Sequence, residues 1–240
     1  TCEPHTVAAA ARRASLIRRV AGERVFAELR ALIAAPAVIG GVRLLDELAL
    51  TVAMLPELAA LRGVEQNRYH HLDVYEHTLL VLEQVIALTA DPGAVVGGLA
   101  AADAHAITEA MSAPLADRLT RGEALRWSAL LHDIAKPQTQ AVAVDGTVLG
   151  FPGHSDAGAG STREVMGRLK VSTRLSDHLA TLTRHHLALG FLVHADPLDE
   201  RAIYRYLDGT TPVELDVSLL SIADRLATGG HKAEPSTERH

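Results

Sequence analysis

A chain of 240 residues that is 48% hydrophobic and 22% charged can bury a sizeable core and is neither disordered nor fibrous. Its net charge of −6 excludes a uniformly basic nucleic-acid binder, and no run of 18 uninterrupted apolar residues offers a membrane span. Aromatics are only 3% of the residues, so packing relies on alanine and leucine, which favours helices. The charge is uneven. Residues 1–35 hold six arginines against three glutamates, a net of +3, which leaves −9 on the remainder. A basic front on an acidic body suggests two parts with different partners; a solvated helix face is the plain alternative. The single cysteine, Cys2, cannot form an internal disulfide, which points to a reducing, cytoplasmic setting. Arg12, Arg13, Arg18 and Arg19 interrupt any apolar signal core. The opening Thr1 leaves room for a longer natural chain.

In chain order, Val7, Ala10, Ala14, Ile17 and Val20 follow a helical period and predict a helix over 6–20. Gly22 separates it from a second helix over about 23–34. Pro36 and Gly40-Gly41 read as a break, followed by a third helix over about 42–53 and a short fourth after Pro56. This front section is a small helical unit ending near Arg62-Gly63, too small to be comfortable alone, so it should pack on the rest of the chain. A long helix is predicted over 74–90. Residues 91–121 are rich in Ala, Gly and Pro and suggest only short helices. A helix over about 123–133 ends in His132-Asp133, and Pro137 should stop it. Asp145-Gly146 between alternating segments predicts a two-residue hairpin over about 140–151 as the only sheet. Helices come next from near His154, over 173–189, 198–207 and 212–227, and a disordered tail occupies 231–240. The expected fold is all-α: a front unit over 1–62, then a helical bundle over 63–230.

The chemistry lies in ionisable groups placed where the periodicity demands apolar ones. Leu175, Leu179 and Leu182 form a stripe whose next position is His186. Val213, Val217 and Leu220 form another, whose next position is Asp224. His77 stands at the edge of the apolar stripe of its own helix. A buried, unpaired carboxylate costs several kcal/mol or more, and a shared divalent cation would satisfy all these groups together. The alternative is hydrogen-bonded core histidines, with Asp224 paired to Arg225. Adjacent helix residues point about 100° apart, so His186 is preferred to His185. His154 could reach the cluster from its Pro152-Gly153 turn. His5, His105, His178, His194, His231 and His240 are expected at the surface, and His70 and His71 are expected to flank the pocket without ligating.

The order His77, His132-Asp133, His154, His185-His186, Asp224 resembles the HD superfamily of metal-dependent phosphohydrolases. The segments Asp73-Val74-Tyr75-Glu76-His77-Thr78-Leu79, His132-Asp133-Ile134-Ala135-Lys136-Pro137, Phe151-Pro152-Gly153-His154 and Arg184-His185-His186 are similar to the HD domain of bacterial tRNA nucleotidyltransferases (CCA-adding enzymes) and their poly(A) polymerase relatives. Glu23-Arg24 with Val25-Phe26-Ala27-Glu28-Leu29 resembles the RNA-binding segment that precedes that domain. Nothing in residues 1–60 resembles the nucleotidyltransferase head, and Ala135 stands where many relatives have glycine.

The resemblance implies phosphoester hydrolysis on nucleotides, 2′,3′-cyclic phosphates or RNA ends. It implies one or two divalent ions (Mn, Fe, Co, Ni, Zn or Mg). His77, His132, Asp133 and Asp224 would hold one ion. His154 and His186, or His185, would complete a second site bridged by Asp133. Lys136 would meet a phosphate oxygen, with Arg163 and Arg184 as weaker candidates; a surface lysine is the alternative reading of Lys136. Arg12, Arg13, Arg18 and Arg19 would track RNA phosphates. The rival reading is a tRNA- or RNA-binding body with a vestigial or structural HD site.

Overall fold

The computed structural model describes residues 3–66, 72–193 and 198–228. The predicted tail, along with Cys2, His70, His71, His194, His231 and His240, lies outside these residues. The fold is helical, as the alanine- and leucine-rich composition requires. In the front section α1 covers Pro4–Arg13 and continues as a 3-10 helix over Ala14–Arg19. The expected single helix tightens there because Ala14, Ile17 and Val20 are spaced by threes, a spacing that shares one face at three residues per turn. Next come α2 (Gly22–Ala34), α3 (Val38–Glu47), α4 (Leu50–Met54) and α5 (Pro56–Ala59). Gly40-Gly41 lies within α3 rather than breaking the chain. A Cβ at Gly41 would sit 2.6 Å from Leu32 Cδ1, so the glycine serves close helix packing.

The body begins with α6 (Val74–Ala90), whose N-cap Asp73 accepts from the Glu76 N–H. It continues with α7 (Pro92–Val95) and α8 (Ala101–Ser112). Then β1 (Pro114–Ala116) pairs antiparallel with β2 (Leu119–Thr120). This second small sheet was not expected, since strands this short leave no alternation to read. A Thr120–Glu123 capping box starts α9 (Arg121–Leu131). Pro137 does not stop that helix, which has already ended at Leu131. It opens the short α10 (Lys136–Thr139) instead, where its missing N–H costs nothing. The predicted hairpin is present as β3 (Ala141–Val142) and β4 (Val148–Gly150). Its loop holds three residues, with Ala143 N–H donating to the Thr147 carbonyl and Gly146 at φ +85°. The glycine makes a bulged three-residue turn out of the expected two-residue one.

The chain closes with α11 (His154–Arg168), α12 (Thr173–His185), α13 (Ala188–Val193), α14 (Glu200–Thr210) and α15 (Glu214–Ala227). One continuous core runs from Val25 in α2 to Ala227 in α15. The front section is built into it. Phe26 stacks obliquely on Trp127 at 6.1 Å, and Arg126 donates to the Ile33 carbonyl at 2.9 Å. Tyr75 and Thr51 both donate to Asp46, which also pairs with Arg62. Burial and the neighbouring Asp46 carboxylate push the Tyr75 phenol up to about 12. No helix among the described residues is long and apolar enough to cross a membrane.

Candidate metal centre

Four elements bring the candidate residues together. His77 lies one turn into α6. His132 caps the C-terminus of α9, and Asp133 comes next in a tight turn closed by the Lys136 N–H on the Asp133 carbonyl at 2.9 Å. His154 is the first residue of α11, and His186 caps the C-terminus of α12. All five are buried. The close approach of α11 to α12 depends on Gly158, where a Cβ would meet Thr183 Cγ2 at 2.9 Å.

Asp133 is the hub. Its Oδ2 faces His132 Nε2 at 3.1 Å and His77 Nε2 at 3.8 Å. Its Oδ1 faces His154 Nε2 at 3.4 Å and His186 Nε2 at 3.8 Å. Two triads result, His77-His132-Asp133 and Asp133-His154-His186, each with its donor atoms within 4.8 Å of one another. Asp224 in α15 joins the first through Oδ1, 2.9 Å from His77 Nε2. The alternative pairing of Asp224 with Arg225 is not formed: Nε and an Nη of Arg225 make no hydrogen bond among the described residues.

Each of three imidazoles is aimed by the carbonyl three residues before it. Nδ1 of His132 donates to Ala129, that of His154 to Phe151 and that of His186 to Thr183, at 2.7–2.8 Å. A carbonyl can only accept, so Nδ1 carries the proton and the Nε2 lone pair turns toward Asp133. His132 Nε2 and both Asp133 oxygens are buried without a hydrogen bond of proper geometry. Orphaned donors of this kind, imidazole nitrogen mixed with carboxylate oxygen, fit one or two divalent cations.

The electrostatics favour a cation here. Burial alone would raise the Asp133 carboxyl, but His132 and the Lys136 ammonium outweigh it and hold the group well below the carboxylate range. Burial likewise works against the charged form of Asp224, yet its bond to His77 holds it down. Burial also opposes protonation of His132, but the Asp133 carboxylate raises it overall. Burial, then the charge of His132, pushes His186 down to about 4.

Lys136 is not a surface lysine. It is buried, with Nζ 2.7 Å from Asp133 Oδ2 and donating to Gln66 Oε1 at 2.7 Å. The Phe151 ring lies 5.1 Å from the ammonium. His185 is only half-buried and does not join the cluster, as the leucine stripe of α12 requires. Arg163 and Arg184 are held in ion pairs with Asp177 and Asp156, on half-exposed side chains away from the cluster contacts. His178 corrects an expectation: it is not a surface residue, since its side chain is only 7% exposed and packs 3.7 Å from Asp216. Two contributors escaped the sequence reading. Gln66 holds Lys136, and the Phe151 carbonyl orients His154. The detectable signal was positional, because His132 and His186 both stand just past a helix end, where carbonyls are free to accept.

Comparison with known proteins places the chain among families. The family described as "Probable RNA and SrmB- binding site of polymerase A" matches residues 1–61, and the HD domain family matches residues 74–229. An A-adding tRNA nucleotidyltransferase from Deinococcus radiodurans is 31% identical over 88% of this chain and 40% of its own length. A CC-adding tRNA nucleotidyltransferase from Thermus thermophilus is 30% identical over 89% of this chain and 41% of its own. A bifunctional uridylyltransferase/uridylyl-removing enzyme from Streptomyces coelicolor is 36% identical over 53% of this chain and 14% of its own. The chain thus spans about two fifths of the length of the tRNA nucleotidyltransferases it matches. With the HD domain covering more than half of its residues and a polymerase-type RNA-binding segment ahead of it, this chain belongs to the HD-domain family.

Proposed function

We propose that the chain is a metal-dependent phosphohydrolase acting on a phosphoester of a nucleotide, a 2′,3′-cyclic phosphate or an RNA end. The observation that carries this reading is the sharing of Asp133 between two histidine pairs whose Nε2 atoms converge on it. His77, His132, Asp133 and Asp224 would hold one ion, and Asp133, His154 and His186 a second. A divalent ion held there would supply Lewis-acid polarisation of a phosphoryl oxygen and a water of lowered pKa. The remaining work falls to the chain. Asp133 stays ionised and would serve both positions. The carbonyls of Ala129, Phe151 and Thr183 keep three imidazoles in one tautomer. Lys136, held between Asp133 and Gln66, neutralises charge on the phosphoryl oxygens. One relative matched over about half of this chain is a bifunctional uridylyltransferase/uridylyl-removing enzyme, which supports a bond-breaking reading. The test is hydrolysis of a generic phosphodiester and of 2′,3′-cyclic nucleotides with Mn, Co, Ni or Mg added. Turnover that needs the metal and vanishes in Asp133→Ala supports the reading; inertness with every metal opposes it.

A second reading is favoured by the front section. The side chains of Arg12, Arg13, Arg18 and Arg19 are exposed and make no hydrogen bond or ion pair among the described residues. They lie within the match to an RNA-binding segment, in a chain whose relatives act on tRNA. In that reading the chain is the RNA-binding part of a tRNA nucleotidyltransferase. Salt-sensitive tRNA binding without hydrolysis would favour it.

A further inference from the structure

A second concave site lies on the front section, away from the histidine cluster. It is a groove of about 440 Å³ between the 3-10 helix, α4 and the C-terminal end of α11. This volume is within the range of small-molecule sites. Val20, Ala53, Met54 and Leu169 supply apolar wall, and Arg18 and Arg168 supply the polar rim.

The two arginines differ. Arg168 is locked. Both of its terminal nitrogens donate to the Glu57 carboxylate at 2.7 Å, so its charge is met in the guanidinium plane. What remains for a ligand is the flat face, which stacks on planar rings. The Arg18 side chain is exposed and makes no hydrogen bond or ion pair among the described residues. Arg19 stands next to it, and Arg12 and Arg13 end α1 one turn earlier, in the same condition. A guanidinium bonded in its own plane, lining the groove together with an apolar wall and beside unpaired arginine side chains, complements a chain of phosphates that can turn a planar base inward. A neutral hydrophobic partner would use the wall and leave the arginines unmatched.

We propose that this groove receives one unstacked base of a single-stranded RNA, while Arg18 and Arg19 contact the adjoining phosphates. The proposal rests on the RNA-binding reading and goes beyond it by assigning a base-receiving site. Binding of a fluorescein-labelled 12-nucleotide oligouridylate is compared with that of a 12-unit abasic phosphodiester across a salt series, each oligomer being verified intact afterwards. The base-bearing oligomer should bind at least about fivefold more tightly at every salt concentration. Ala53→Phe, which fills the groove without touching an arginine, should remove that preference and leave the salt slope unchanged. Val20→Gln, which makes an exposed part of the apolar wall polar, should weaken the preference in a fold that is not at risk. Arg18→Gln with Arg19→Gln should instead lower the salt slope. Equal affinity for the two oligomers in the unaltered protein, or an undiminished preference in both groove variants, overturns the base site and leaves the RNA-binding reading standing. Failure of both oligomers to bind at low salt overturns both.

Discussion

Nε2 of His154 and Nε2 of His186 lie 3.3 Å apart, and each ring has already committed its Nδ1 proton to a backbone carbonyl. Two lone pairs therefore face each other in a buried space. Only a cation between them makes that arrangement favourable. Burial, then the charge of His132, pushes the His186 imidazole down to about 4, so in the proposed reading a metal ion would fill this position near neutrality. Stripping the protein with a chelator should lower its melting temperature by several degrees, and adding back Mn or Ni should restore it. In His186→Ala that response to chelator should be smaller. An identical response in the variant would contradict the placement of an ion at this pair.

In the proposed reading Lys136 would separate metal binding from phosphate chemistry. It contacts Asp133 through charge and is not itself a metal donor. Lys136→Met should keep bound metal while lowering hydrolysis by roughly 100- to 1,000-fold, the range for losing one electrostatic donor at a reacting centre. Gln66→Leu should cause a smaller loss of the same kind, on the order of 10-fold, because Gln66 only holds the lysine. Full activity in Lys136→Met would remove the lysine from the mechanism.

Gly158 sets the spacing of the two helices that carry His154 and His186. In Gly158→Ala the new methyl meets Thr183, whose hydroxyl is bonded to the Leu179 carbonyl and faces Thr162. Overpacking of this kind costs about 1–3 kcal/mol. At roughly 2–4 °C per kcal/mol for a chain of this size, the loss is readable by calorimetry. Metal affinity should fall with it. Unchanged affinity would mean that the helix spacing does not position the second triad.

His178 adds a pH dependence outside the metal cluster. Burial lowers its folded-state pKa; Asp216 works against this, while Arg121 and Arg174 reinforce it. A depressed histidine favours the folded state while neutral. Its contribution is complete above the unfolded value of about 6.5 and is lost as the pH falls from there toward the folded value. Between pH 7.5 and 5, His178→Gln should therefore lose less of its urea stability than the unaltered protein. Parallel losses in the two proteins would show that His178 does not titrate on unfolding.

How much was legible depended on how local each determinant is. The bounds of α6 could be read because Asp73 and Glu76 mark its start and Asp91-Pro92 its end. The ligand stripe of α12 could be read because Leu175, Leu179 and Leu182 lead to His186 with one period. The 114–120 sheet was hidden, because strands of two and three residues are held by context rather than pattern. The burial of Lys136 was hidden for the same reason. Its partner Gln66 is 70 residues away, and only the folded chain places them together. His178 looked like a surface residue because nothing around it in the sequence marks a ligand, yet the pair between Arg121 of α9 and Asp216 of α15 lies against it.

Metal counting tests most directly whether one carboxylate, that of Asp133, joins two metal positions. The unaltered chain, His154→Ala and Asp133→Ala would be purified without chelators, equilibrated with Mn and measured by elemental analysis alongside their circular dichroism. A shared Asp133 predicts up to two ions per chain in the unaltered protein, about one in His154→Ala and almost none in Asp133→Ala, with helicity kept in all three. Retention of metal in a folded Asp133→Ala protein would contradict it.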